Sequence, residues 1–138
     1  MKAAVATENG LALRDISQPR PKPNEVLVKV RAAALNRADL ATARGLPHGS
    51  HGGIGAAVGL EWAGEVVESG AEAKGYKPGD RVMCSGTGGY AEYAVSDWGR
   101  VNPMPNVMSE TGSVAACSKL MPVGIGLTRP QSLTAYSA

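Results

Sequence analysis

The sequence contains only two cysteines, Cys84 and Cys117, in 138 residues. They are too few and too far apart for a disulfide framework or a cysteine-bound zinc cluster. The formal net charge is only +2, and no cluster of basic residues interleaves with aromatic ones as nucleic-acid binding requires. These scarcities argue against a disulfide-stapled secreted domain, a cysteine-rich zinc module and a nucleic-acid-binding protein.

Long apolar runs are also missing. Residues 2–7 read as a strand, and no long apolar segment follows a basic start. Secretion and membrane spanning are therefore not expected, and the scattered cysteines favour a reducing, cytoplasmic setting. A length of 138 residues is sufficient for one domain with its own core.

Residues 58–82 organise the rest of the chain. The first half alternates as a strand does, and Gly64 within it indicates a bulge or a close backbone approach. One face of this strand carries Trp62, Gly64 and Val66, and the other carries Ala63, Glu65 and Val67. In the second half, Pro78 presets φ for the second position of a turn and Gly79 supplies a positive φ for the third. The pattern predicts two core strands joined through this turn.

Several other segments have the signals of short strands. Asn9-Gly10 between two apolar runs is a strong hairpin signal. Residues 26–34 alternate, residues 90–95 alternate again, and residues 98–103 favour a last short strand. One face of the segment 26–34 is predicted to carry Val26, Val28, Val30 and Ala32. Many short strands separated by turn signals predict a mainly β, barrel-like domain.

One short helix is predicted to begin near Asn36. This residue can cap a helix, Asp39 falls in the first turn, and Gly45 can end the helix after two or three turns. Residues 46–57 are rich in glycine and predict a mobile loop.

Three motifs carry a resemblance to a known family. Residues 59–67 read Gly-Leu-Glu-Trp-Ala-Gly-Glu-Val-Val, residues 77–82 read Lys-Pro-Gly-Asp-Arg-Val, and residues 88–93 read Gly-Gly-Tyr-Ala-Glu-Tyr. Together they resemble the medium-chain dehydrogenase/reductase superfamily, and best its zinc-independent quinone oxidoreductase-like branch. Residues 1–108 resemble the N-terminal GroES-like domain of that family, which implies a partly open β-barrel with one or two short helices. Residues 109–138 resemble the start of the linker to a nucleotide-binding domain that this sequence lacks.

The resemblance implies the substrate-side domain of a NAD(P)H-dependent oxidoreductase. In the complete enzyme a hydride would pass from NADPH to a quinone or an activated alkene, whereas this chain by itself is expected to be inactive and to bind NADPH weakly. The implied partner is a small molecule, with neither nucleic acid nor membrane. The alternative is a stand-alone GroES-like binding or assembly module without catalysis.

No metal site is expected. Many members of the family are zinc alcohol dehydrogenases, with a cysteine ligand three residues before an aspartate and a histidine ligand inside Gly-His-Glu. Here Asn36 stands before Asp39, and Leu60 stands between Gly59 and Glu61. Neither an amide nor a leucine replaces a thiolate or an imidazole as a zinc ligand.

Two further patterns are interpreted as having no binding role. His48 and His51 are a possible metal-binding pair by their close spacing, but on a glycine-rich segment without a third ligand nearby they are interpreted as solvated. The Gly-x-Gly-x-x-Ala run at residues 86–91 leads into a predicted strand. A dinucleotide phosphate site instead requires a glycine turn that opens a helix.

Asn36, Asp39 and Glu61 are the candidate catalytic residues, because by the resemblance this helix start borders the cleft where nicotinamide and substrate meet. Asn36 is also the candidate cofactor-binding residue, which would hold the cofactor's carboxamide or a substrate oxygen. A purely structural interpretation is also open. Asn36 and Asp39 would then cap the helix, and Glu61 would be a buried carboxylate satisfied by Arg81 or by a backbone amide.

Apolar residues after Met108 predict association. By the resemblance, the nucleotide-binding domain would cover Val114, Ala115, Ala116, Leu120, Met121, Val123 and Ile125. A small domain rarely tolerates a large exposed apolar patch, and the strand edges of an open barrel also favour pairing. We expect a homodimer or higher oligomer, formed through the tail and the barrel edge.

Overall fold

The computed structural model describes residues 1–46 and 52–106. His48, His51 and the tail after Asn106 lie outside the described residues. The predictions of a linker and of an apolar contact surface in that tail therefore also lie outside them. A two-stranded sheet and a curled five-stranded half-barrel dominate the described part, which has one short α-helix and one 3-10 turn. The prediction of a mainly β, partly open barrel is confirmed. Within the described ranges, no helix has the length and apolar character needed to cross a membrane.

The N-terminal sheet is the predicted hairpin. Strands β1 (Lys2–Thr7) and β2 (Gly10–Asp15) pair antiparallel around a two-residue loop. Gly10 follows that loop at φ +100°, a conformation that glycine adopts without strain. Isolated bridges from β1 to Ala57 and Ala91 dock the hairpin on loops of the larger sheet.

The larger sheet is antiparallel throughout, with strand order β6-β3-β4-β5-β7. Its strands are β3 (Glu25–Ala33), β4 (Glu61–Ser69), β5 (Arg81–Ser85), β6 (Tyr93–Asp97) and β7 (Val101–Pro103). The strand predicted from residue 90 begins only at Tyr93, because Tyr90 donates its backbone N–H to Val58 instead of joining the β6 ladder. Between β6 and β7, Trp98–Arg100 forms a 3-10 turn.

Strand β4 lies at the centre of this sheet, as expected of the organising stretch. Gly64 permits the predicted close approach, because a Cβ at this position would overlap the carbonyl oxygen of Lys29 on β3. The predicted turn before β5 is also present. Its closing hydrogen bond runs from the backbone N–H of Asp80 to Lys77 O at 3.1 Å, and Gly79 has a φ of +92°.

The two faces of the sheet support separate groups of apolar side chains. The main cluster contains Val26, Val28, Trp62, Val66, Ala73, Val82, Cys84, Ala94 and Val101. A smaller cluster on the other face contains Ala63, Met83 and Met104, with Ala32 and Ala34 packed against it. The alternation predicted for β4 is therefore confirmed, since Trp62 and Val66 share one cluster and Ala63 belongs to the other.

The predicted face of Ala32 is wrong. It was expected beside Val28 and Val30, but it packs against the smaller cluster on the opposite face. Val30 pairs with Gly64 and Ala32 pairs with the adjacent Ala63, so Arg31 is an extra residue in the ladder. One extra residue in a strand of period two reverses the side to which the following side chains point.

The helix predicted near Asn36 is present but shorter than two or three turns. Helix α1 spans Asp39–Thr42, and Gly45 follows at φ +76°. The N-cap position is Ala38, and no side chain caps the helix. The prediction that Asn36 caps it is therefore wrong, because the Asn36 side chain bonds to another part of the chain.

Candidate functional site

The candidate residues lie where β3 ends and β4 begins. The backbone N–H of Ala34 donates a 3.0 Å hydrogen bond to Glu61 O, which holds these strand ends together. The chain then turns through residues 35–38 into α1. Two rigid elements, the β3–β4 pair and the start of α1, therefore position the side chains of the site.

The structure brings all three sequence-predicted site residues together. The backbone N–H of Asn36 donates to Asp39 Oδ2 at 2.7 Å, and Nδ2 of Asn36 donates to Glu61 Oε2 at 3.1 Å. Asp39 and Glu61 are both buried, at 5% and 9% relative exposure. The buried-carboxylate interpretation of Glu61 is correct, but its side-chain partner is Asn36. Arg81 lies opposite Glu65 in the ladder instead.

A fourth member, Tyr90, was missed as a site residue. Its hydroxyl lies 2.7 Å from Asp39 Oδ2 and 2.8 Å from Ala34 O, so its single proton is shared between a carboxylate and a carbonyl. The motif at residues 88–93 was the available signal. A motif by itself does not reveal that Tyr90 contacts Asp39, which lies 51 positions earlier in the sequence. We call Asn36, Asp39, Glu61 and Tyr90 the Asn36 network.

Burial and negative charge raise the pKa of Tyr90. Desolvation of the phenol is the largest cause, followed by the hydrogen bond to Asp39 and by the charges of Asp39 and Glu61. Each effect disfavours a phenolate beside two carboxylates. Tyr90 is therefore a neutral hydrogen-bond donor at physiological pH.

Two acceptor oxygens of the network have no partner among the described residues. Asp39 Oδ1 is buried and accepts no hydrogen bond. The Oδ1 atom of Asn36 also receives no donor, since the described bonds of this residue use its backbone and its Nδ2. Buried polar atoms are rarely left unsatisfied, so Asp39 Oδ1 suits a ligand that donates a hydrogen bond, and the half-buried Asn36 offers a second acceptor nearby.

Gly59 places Tyr90 in the network. It adopts φ +108°, and a Cβ there would lie 2.5 Å from the backbone nitrogen of Tyr90 and 2.9 Å from the carbonyl carbon of Gly89. Only glycine allows the segment at residues 58–59 to bond so closely to the segment at residues 89–90. Glycine is therefore required at position 59, in the motif at residues 59–67, because of a contact with the motif at residues 88–93.

A separate cavity of about 330 Å³ lies at the base of the N-terminal hairpin, beside Met1 and Ile16. Its lining is mostly small or apolar and includes Ile16, Pro19, Ala57, Ala94 and Val95. It shares no residue with the Asn36 network. The cavity therefore provides an alternative location against which the site can be tested.

Comparison with known proteins identifies the family. The model of the alcohol dehydrogenase GroES-like domain matches residues 22–106, a range that contains the whole Asn36 network. The chain belongs to this family. Its likeness to quinone oxidoreductases places the GroES-like domain in the quinone oxidoreductase-like branch of the medium-chain dehydrogenase/reductase superfamily.

Three similar proteins illustrate the relationship. A trans-enoyl reductase of Pyricularia oryzae is 37% identical over 94 residues, or 61% of this chain. A quinone oxidoreductase of Sus scrofa is 39% identical over 84 residues, or 59% of this chain. The solved structure of a mycobacterial protein in complex with NADPH matches at a TM-score of 0.70 and 28% identity, covering 80% of this chain and 35% of that one. The chain spans 25% of the length of each of the two curated relatives.

The Asn36 network of this GroES-like domain consists of an amide, two carboxylates and a phenol, without a thiolate or an imidazole that could bind zinc. Asn36 and Leu60 stand where the zinc-binding members have ligands by the sequence resemblance, and no group of three or more His, Cys, Asp or Glu residues gathers within residues 1–46 and 52–106. The expectation that zinc is absent stays a prediction. His48 and His51 lie outside the described residues.

The glycine run at residues 86–91 of the domain has a structural role. Gly86 and Gly89 lie against the ring of Trp62, where a Cβ would come within 2.9 Å and 2.8 Å of ring carbons. The run then leads to β6 and opens no helix, as the sequence predicted. Gly86 and Gly89 are thus explained by packing against the buried tryptophan, and Gly88 by its positive φ of +88°.

Proposed function

We propose that this GroES-like domain is the substrate-side part of a zinc-independent NAD(P)H-dependent oxidoreductase that transfers a hydride to a quinone or an activated alkene. One relative is named for quinones and another for enoyl groups, and both are conjugated acceptors of hydride. The structural neighbour in complex with NADPH supports the choice of cofactor.

One observation carries the proposal: the Asn36 carboxamide is held in place through one N–H, while its second N–H and its oxygen bond to no described residue. Glu61 takes one N–H of Nδ2, and Asp39 takes the backbone N–H. A second N–H and Oδ1 remain for a ligand. A held amide with one donor and one acceptor suits the carboxamide of nicotinamide together with a substrate oxygen.

The residues of the network would bind and orient the reactants. When bound, reduced nicotinamide supplies the hydride. Oδ1 of Asn36 would accept a hydrogen bond from the cofactor's carboxamide, and the free N–H of Nδ2 would donate to a substrate oxygen on which negative charge develops. Asp39, which is itself bonded to Tyr90, would hold the backbone of Asn36 in place.

The described residues suit the nicotinamide end of the cofactor better than its phosphates. Phosphates bind best at a glycine turn that opens a helix, whereas the glycine run at residues 86–91 leads to β6. We therefore expect the 138-residue chain to bind NADPH more weakly than micromolar and to reduce no quinone by itself. Calorimetric titration and a turnover assay measure both, and micromolar binding or turnover would contradict this division of roles.

A quinone titration tests the substrate side directly. Duroquinone suits this test because its four alkene carbons are methylated, which disfavours addition of the thiols of Cys84 and Cys117. We expect it to shift the NMR signals of Asn36 and Tyr90 in the ¹⁵N-labelled chain. Durene, the matching hydrocarbon without oxygens, should leave them unchanged. Equal shifts with both ligands, or shifts confined to residues that line the cavity at the base of the hairpin, would contradict the proposal.

Location and assembly complete the proposal. A cytoplasmic location is supported by Cys84, which is buried and free as expected in a reducing compartment. Homo-oligomerisation is supported by the open edge of β2 and by Leu11 and Leu13, which are 49% and 68% exposed there. Apolar residues of the tail would add to the contact.

A further inference from the structure

We infer that Glu61 is a positioning residue that fixes the Asn36 carboxamide with nitrogen inward and oxygen toward the ligand, so that the site selects a carboxamide-bearing ring over a carboxylate-bearing one. This inference rests on the proposed function, since it concerns the same ligand site. It assigns to Glu61 a role in specificity, separate from any contact with the ligand.

The orientation of Asn36 follows from the chemistry of its partner. An ionised carboxylate only accepts hydrogen bonds, so the nitrogen end of the amide must face Glu61 Oε2, 3.1 Å away. The backbone of Asn36 is anchored separately by Asp39, at 2.7 Å. Anchors on both the backbone and the side chain leave the amide oxygen, with the second N–H beside it, for a ligand, and fix which of the two faces the carboxamide of the cofactor.

Glu61 is itself rigidly held. It is the first residue of β4, it is 9% exposed, and its backbone oxygen accepts the N–H of Ala34 at the end of β3. The backbone that carries this carboxylate is therefore fixed by the pairing of β3 with β4. A side chain on such a support can determine the orientation of its neighbour instead of following it.

The charge of the network determines which ligands are excluded. In the described part of the chain, neither Asp39 nor Glu61 forms an ion pair, and Asp39 Oδ1 is buried without a hydrogen-bond donor. A ligand carboxylate at Asn36 would meet an acceptor oxygen and two uncompensated negative charges. A carboxamide in its place would donate its N–H to that oxygen and carry no charge.

The first experiment uses no ligand. In ¹⁵N spectra of the full chain, the side-chain amide of Asn36 should show one shifted proton that exchanges slowly, because it is bonded to Glu61. Glu61→Gln can bond to Asn36 with its amide in either direction, so this signature should be lost. Glu65→Gln is the matched control, since Glu65 lies on the same strand and pairs with Arg31 instead. An Asn36 signal unaffected by Glu61→Gln would overturn the positioning role.

The second experiment compares nicotinamide with nicotinate, which differ only in amide against carboxylate. In the wild-type chain we expect nicotinamide to shift the Asn36 signals. Nicotinate should bind with an affinity at least about tenfold lower, because like charges repel strongly at short distance in a partly buried site. Glu61→Gln should reduce this difference, and Glu65→Gln should preserve it. The comparison in the wild-type chain holds even if a variant fails to fold.

The outcomes separate the inference from the proposed function. If both ligands shift Asn36 equally, the selectivity is refuted while the nicotinamide contact stands. If nicotinamide shifts no signal of the Asn36 network up to its solubility limit, the nicotinamide contact of the proposed function is refuted, and the selectivity with it. The positioning role is decided by the ligand-free spectra in either case.

Discussion

The Tyr90 hydroxyl lies 2.7 Å from Asp39 Oδ2 and joins positions 51 residues apart in the sequence. The same carboxylate oxygen accepts the backbone N–H of Asn36. A single buried atom thus connects the loop before β6, the start of α1 and the turn that carries Asn36. The position of the candidate ligand-binding amide depends on this tyrosine.

Removing the Tyr90 hydroxyl should destabilise the domain. Tyr90→Phe deletes a hydrogen bond to a charged group, and we expect a loss of about 1.5–3 kcal/mol in the free energy of unfolding. Tyr93→Phe is the control, because the hydroxyl of this half-buried residue bonds to no described residue; its effect should stay within about 0.5 kcal/mol. Urea unfolding measures both, and equal losses would contradict the role of the Tyr90 bond.

The raised pKa of Tyr90 predicts a loss of stability at alkaline pH. In the unfolded chain this tyrosine loses its proton near its ordinary pKa of 10.0, whereas the folded chain retains it to higher pH. The unfolded state then binds fewer protons, so stability falls as pH rises from 10 toward the folded value. The difference in unfolding free energy between wild type and Tyr90→Phe should be constant below pH 9 and shrink above pH 10. A difference that stays constant to pH 11 would refute the raised pKa.

A pair of glycine substitutions tests how Tyr90 is placed. Gly59 and Gly79 both have positive φ, at +108° and +92°, but a Cβ would meet the backbone of residues 89–90 at the first and open space at the second. Both alanine variants bear similar backbone strain, so Gly59→Ala should cost about 1–3 kcal/mol more. It should also shift the NMR signals of Asp39. Equal losses in unfolding free energy would show that the close approach is not needed.

Association of the chain can be tested at the edge of the hairpin. We expect light scattering to give the mass of a homodimer or higher oligomer. Leu13→Lys should weaken the assembly, because it places a charge on the open β2 edge. Leu40→Lys, at a leucine of α1 with a similar 62% exposure, is the control. A monomeric wild-type chain at high concentration would contradict the expected assembly.

Local signals in the sequence predicted the fold well. The Asn-Gly hairpin and the Pro-Gly turn depend on the φ values that two neighbouring residues allow, and both are present. The face of Ala32 could not be predicted in this way. It depends on the extra residue Arg31, whose presence is defined only by the pairing of β3 with β4.

The structure brings the three candidate residues of the sequence together, but by contacts that the sequence did not predict. Asn36, Asp39 and Glu61 were identified, but Asn36 was expected to cap the helix. A cap is an interaction over three residues that sequence spacing can suggest, whereas its bond to Glu61 spans 25 residues. The role of Tyr90 is longer in range still, so only the folded chain reveals it.

Nuclear Overhauser contacts between nicotinamide ring protons and the ¹³C,¹⁵N-labelled chain test the central claim most directly. We predict contacts with the side-chain amide of Asn36 and with the ring of Tyr90. Contacts with Tyr93 and Ala94 instead would place the ligand in the cavity at the base of the hairpin. That result would contradict the Asn36 network as the nicotinamide and substrate site.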